Sequence, residues 1–499
     1  MRARLRIALL IGALALLAVA LGLHSARSGS QGSLRRYLAG LHAKGEPLTY
    51  EELARNRVTN AFDSLPVITN AANVLKGNLE PGRLDLRRYT AAGQAEVNWQ
   101  QPSPLWTTSN GTQGQGTWEE VEAQMQGAQP ALQQVRAALT NPAADAGPYT
   151  VAVFTNSRIA FVAIRTVAQW LAGAAENDLH QRRLNDALQN LQALAALARM
   201  ERQEPILVAQ MVRVSVANLG LAATWEALQA PGWTEPQLEQ LQRSWAQLDL
   251  LDAAERGFVG ERVGGLQIAG MMRHSEGSHV FALLSGAPRP PRSKATTDDI
   301  VGEYLVLPVY KLFWLDRDEL FYLRNMEESI TAMRLLKAGR PWPEVAQRLD
   351  QITSNVNAIA RSPGKFRYIF SIIVLPNYQK ASQMGARAEV ELQMTQAAIA
   401  LKRFQLRHGC LPPSLDALVP EFLPAVPFDC MAGRPLRYHT TPDGAYVLYS
   451  VGEDGVDDGG DATLAAGMPN GMWTSRDAVW PRPAPAAGGQ GRPAARRDE

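Results

Sequence analysis

Leu184, Leu188, Leu191, Leu194 and Leu197 recur at steps of three and four, which lays one apolar stripe along a helix. The same spacing carries Val212, Val216, Leu219 and Ala223 through a helix over 206–229. Near the C-terminus Val390, Met394, Ala397, Leu401, Phe404 and His408 mark a longer helix, stopped by Gly409 and Pro412. Further helices are predicted over 33–41, 49–65, 118–139 and 316–339, with two more between 148 and 200. Thr234, with Gln237 three places on and Pro236 in the first turn, marks another helix start. Residues 91–117 are rich in Gly, Gln, Thr, Ser and Asn and read as a long loop or irregular extended structure, its tryptophans covering a core edge or, if exposed, forming a binding surface. Residues 262–298 read as a connector. The runs 304–315 and 366–376 are too short to span a bilayer and read as buried core or lid elements. The period falls to two only in "PLRYHTTPDGAYVLYSVG", two strands joined by a turn at Pro442-Asp443-Gly444.

The first residues follow a different rule. Arg2, Arg4 and Arg6 precede 17 uncharged residues, 7–23. Two readings stand: an uncleaved membrane anchor, which the lack of a clean A-x-A site favours, or a cleaved signal peptide. Either places the N-terminus in the cytoplasm and the body outside it. The expected organisation is a basic tip at 1–6 and a transmembrane anchor at 7–23. A mostly helical exported domain at 33–298 and a helical continuation at 299–380 follow, then an α+β module at 381–475 and a disordered tail at 481–499. The fold class is therefore mainly α, with an N-terminal transmembrane helix, an irregular helical body and a small C-terminal α+β module. The expected location is the inner membrane, single-pass, with the bulk periplasmic.

Charge narrows the partners. Fifty basic residues against 48 acidic ones leave no polycationic surface for nucleic acid. The membrane, through the N-terminal helix, and envelope proteins are the expected partners. Cys410 and Cys430 are the two cysteines; in an oxidising compartment they form a disulfide or remain two free thiols. Nucleophile-elbow, zincin, dinucleotide and Walker motifs are missing, so no catalytic residue is assigned. His274 and His279 are spaced for no common metal helix. Glu327-Glu328 and Glu389/Glu391 read as solvated helix faces.

One resemblance is specific. His408-Gly409-Cys410-Leu411-Pro412 ends the long helix, Pro427-Phe428, Gly433, Pro435, Leu436 and Tyr438 form a second element, and Tyr446, Leu448, Tyr449, Ser450, Gly452, Asp454 and Gly455 a third. Together they resemble the C-terminal module of the major pseudopilins of type II secretion systems, and an anchored bacterial protein family that reuses it. The resemblance implies a calcium site in the loop after the last strand, with Asp454, Asp457, Asp458 and Asp461 as ligands; an unoccupied acidic turn is the other reading. The apolar run lacks the glutamate of pseudopilins, and no glycine-aromatic junction precedes it. The expected function is a non-enzymatic, anchored, exported protein with an envelope interaction or scaffold role linked to a secretion or pilus-type system. An exported hydrolase with its site in the helical domain and an atypical pseudopilin are the alternatives.

Overall fold

The computed structural model describes residues 27–55, 64–75, 86–100, 105–107, 113–115, 117–141, 160–200, 204–274, 307–375, 378–465 and 467–485. Helix α1 covers 27–43, followed by α2 (Tyr50–Ala54) and α3 (Leu65–Leu75). Strands β1 (Arg87–Ala91) and β2 (Gln94–Val97) form an antiparallel hairpin, with Arg87 opposite Val97. Strands β3 (Leu105–Thr107) and β4 (Gln113–Gln115) pair in the same sense. The body then runs through α4 (Trp118–Leu139), α5 (Ala160–His180), α6 (Leu184–Arg199), α7 (Leu207–Gln229), α8 (Glu235–Trp245) and α9 (Leu250–His274). It continues through α10 (Leu307–Phe313), α11 (Leu315–Lys337), α12 (Trp342–Arg361), α13 (Ile369–Val374) and α14 (Tyr378–His408).

Local chemistry starts these helices where the sequence directs. At α4 the Glu120 amide donates to the Thr117 hydroxyl at 3.3 Å, while the Thr117 amide donates to the Glu120 carboxylate at 2.9 Å. At α8 the Thr234 amide donates to the Gln237 carbonyl oxygen at 3.0 Å. Packing then fixes their arrangement. Helix α7 lies against α5, α6, α9 and α14. It is apolar nearly all round because neighbours cover it nearly all round.

The C-terminal segment belongs to the same core. Helix α14 packs on α7, α8 and α9, and its Val390, Met394, Ala397 and Leu401 join one apolar cluster with Leu191, Leu194 and Trp225. Beyond it lie β5 (Phe428–Asp429), β6 (Arg434–Pro435), β7 (Arg437–Thr440), β8 (Tyr446–Ser450), β9 (Ala478–Val479) and β10 (Arg482–Pro483). Strands β7, β8 and β9 form an antiparallel sheet in that order. Strand β10 instead pairs parallel with β2, so the end of the chain closes the hairpin near its beginning. Residues 481–485, expected in a disordered tail, are thus ordered; the rest of the tail lies outside the described residues.

Several expectations are corrected. The anchor at 7–23 lies outside the described residues. Among the described residues, the helix long and apolar enough to cross a membrane is Leu207–Gln229, in mid-chain, and its most apolar stretch is 61% buried inside the protein. The picture of one N-terminal span with everything after it exported, and with it the membrane partner through that span and the inner-membrane location, is overturned. The fold class keeps its mainly α character without that N-terminal span. The helix expected over 49–65 covers only Tyr50–Ala54 before residues outside the description, while Leu65–Leu75 is helical where none was expected. Residues 262–274, expected in a connector, continue α9. The loop 91–117 contains the β2 strand, and its Trp99 is buried, as is the adjacent Trp118.

Candidate functional site

Strand β1 lies across α7, and α5 packs beside α7. The three elements enclose a cavity of about 390 Å³, within the size range of small-molecule sites. Strand β1 contributes Arg87 and Tyr89, two residues apart and so on one face of the strand. Helix α5 contributes Arg165 and Gln169, and α7 contributes Ser215 and Asn218. Leu86, Ala168, Val216, Leu219 and Ala222 supply the apolar part of the wall. Arg165 and Ser215 are exposed and mark the mouth.

Arg87 is the charged centre. Its side chain is only 8% exposed, and its Nη2 donates to Glu391 Oε2 at 2.9 Å. The other oxygen of Glu391 accepts from Trp473 Nε1 at 2.9 Å. Glu391, expected on a solvated helix face, is buried in this cluster. Burial works against the Arg87 charge, yet the Glu391 carboxylate bonded to it helps raise its pKa above the ordinary value. Arg87 Nη1, Tyr89 Oη and Asn218 Oδ1 are buried without a hydrogen-bond partner. Unpaired buried polar atoms are uncommon, and three belong to residues around one cavity.

Two carboxyl groups stand behind the wall. Glu226 lies four residues beyond Ala222 on α7, and Glu176 seven beyond Gln169 on α5, so both continue the cavity-facing sides of their helices. Burial raises Glu176 to about 8. Burial, reinforced by the charge of Glu176, raises Glu226 well above the usual carboxylate range, although the Asn98 amide donates to its Oε2 at 3.0 Å. Burial thus favours the protonated form of both acids. Of the cavity residues, the sequence marked only Val216 and Leu219, as an apolar helix face; none of the polar ones was singled out. The available signal was Glu176 and Glu226 themselves, each interrupting an apolar helical run.

The four aspartates expected as calcium ligands sit elsewhere, after β8. Asp454 accepts from the Val456 amide at 3.0 Å, closing its own turn. Asp457 accepts from Arg437 Nε and from the Tyr449 hydroxyl, each at 3.0 Å. Asp458 and Asp461 share Arg476, each at 3.7 Å. Asp477, unmarked in the sequence pattern, is fully buried beneath the loop. It accepts from the amides of Asp458, Gly460 and Asp461 at 3.3, 2.7 and 3.0 Å. Gly460 adopts φ +84°, and a Cβ there would stand 2.7 Å from Val447 Cγ1.

The loop amides converge on the Asp477 carboxylate, and Arg437 and Arg476 pair with Asp457, Asp458 and Asp461. Among the described residues no group of three or more His, Cys, Asp or Glu side chains is placed to hold a metal ion. Cys410 is exposed and Cys430 buried, and both are free, so the disulfide is not formed. Compared with known proteins, the chain matches no family model, no curated protein and no solved structure.

Proposed function

We propose that the chain is a binding protein whose ligand is a small polar molecule, taken up in the cavity between α5, α7 and β1. The observation that carries this reading is the set of three buried, unpartnered polar atoms on Arg87, Tyr89 and Asn218, all residues of one cavity wall. Each such atom costs stability unless a partner arrives, and a hydrogen-bonding ligand supplies one. The interaction reading is favoured over the hydrolase because the acid pair, Glu176 and Glu226, stands outside the cavity lining. A long helix leading into a small antiparallel sheet supports taking 381–475 as a pseudopilin-like fold reused as one wall of the body. Glu391 on that helix holds Arg87 in place.

Thermal unfolding of the full chain against a library of small polar compounds tests the proposal. At least one compound raises the midpoint in wild type by binding the folded state. Ala222→Phe fills the cavity and removes that response while the free protein still melts cooperatively. A response that persists in the filled variant, or no response across the library, overturns the reading.

A further inference from the structure

Resting on the binding reading above, we infer that the ligand is a small organic anion, carrying a carboxylate or phosphate group that Arg87 and Arg165 receive. The cavity wall holds two arginines and no carboxylate. Arg165 sits exposed at the mouth and makes no ion pair among the described residues. Arg87 lies deeper and is held in place, because Glu391 fixes one arm of its fork, while its Nη1 is buried without a partner. An arginine so held presents planar donors to an oxyanion with little ordering left to lose.

The remaining groups are consistent with such a ligand. Tyr89 offers a phenol whose hydroxyl lacks a partner. Ser215, Gln169 and Asn218 add neutral hydrogen-bonding groups. Leu219 and Ala222 can receive a carbon skeleton. Glu391 offsets one of the two arginine charges, and the lining itself holds no carboxylate. The lining and Glu391 together therefore carry one net positive charge, which attracts an anion and repels an amine.

Probes that share a carbon skeleton and differ in charge isolate the claim. Thermal-shift and calorimetric titrations of the full chain compare glycerate, glycerol 3-phosphate, glycerol and ethanolamine. One or both anions raise the midpoint with dose and bind at least tenfold more tightly than glycerol, and ethanolamine does not bind. The comparison of glycerate with glycerol 3-phosphate separates carboxylate from phosphate. Arg165→Gln, at an exposed position, weakens anion binding about tenfold and leaves unliganded stability unchanged. Tyr89→Phe removes an unpartnered hydroxyl, so it weakens binding several-fold without lowering the midpoint of the free protein.

Equal responses to glycerol and the anions, or undiminished anion binding in Arg165→Gln, sink the anion assignment and leave the binding reading standing. Anion binding that survives Ala222→Phe places the ligand elsewhere and removes both. No response to either anion, with a response to other library compounds, overturns this inference alone.

Discussion

Arg87 on strand β1 and Glu391 on helix α14 meet at 2.9 Å across 304 residues of sequence. Both side chains are nearly sealed from solvent, at 8% and 11% exposure. The pair ties the hairpin that forms one side of the cavity to the long C-terminal helix. Removing one member leaves the other as an uncompensated buried charge, which is far costlier than losing a surface pair.

Glu391→Gln therefore lowers the free energy of unfolding by about 3 kcal/mol. Arg87→Met combined with Glu391→Met costs much less than the two single changes added together. Urea denaturation of the four proteins gives the coupling. Additive losses would show that the two charges act independently.

The protonated acids behind the wall make stability depend on pH. An unfolded Glu176 ionises near its ordinary 4.5, while the folded one holds its proton to about 8. Between those values the folded state binds more protons, so the stability contributed by Glu176 falls as pH rises from about 4.5 to about 8, then levels off. Glu176→Gln removes its part of that decline and is the more stable protein at pH 9, by on the order of 5 kcal/mol. Melting curves across the range would refute this if the variant followed the wild-type slope.

Two glycines of α9 behave oppositely. A Cβ on Gly260 would lie 1.5 Å from the Pro205 carbonyl oxygen, a backbone atom that cannot step aside, whereas one on Gly270 meets nothing within 4 Å. Gly260→Ala loses at least about 3 kcal/mol or fails to fold. Gly270→Ala gains up to about 1 kcal/mol, from helix propensity alone. Chemical denaturation of the two variants decides.

Asp477 closes the acidic loop by accepting from three of its amides. Asp477→Ala orphans those donors and costs about 2 kcal/mol. Hydrogen exchange at Asp458, Gly460 and Asp461 then accelerates ahead of the rest of the molecule. Because Arg437 and Arg476 already pair with Asp457, Asp458 and Asp461, adding calcium or a chelator leaves the wild-type midpoint unchanged. A calcium-dependent rise would show that the loop rearranges into a cation site.

Residues with a regular period were readable in advance. The leucines of α6 and the stripe of α14 report their buried faces through spacing alone. Helix α3 was hidden because "LPVITNAANVL" mixes Pro, β-branched residues and Asn, none a strong helix former. The second half of α9 was hidden for a related reason. Its glycines read as a loop, yet Gly265 is there so that the Tyr322 ring can approach. Glu391 was misplaced because a lone acid on a helix is normally solvated, and nothing local reveals Arg87 opposite it.

The sequence by itself determined where the strongly periodic helices form, where the C-terminal pattern shifts to strands, and that the chain is mainly α. Those properties depend on side chains a few residues apart. Only the tertiary structure decided that Leu207–Gln229 lies largely buried within a folded core and that the acidic loop encloses Asp477. It alone set the two arginines around one cavity. Each of these depends on groups tens to hundreds of residues apart, brought together by burial of apolar surface, and no local period records that meeting.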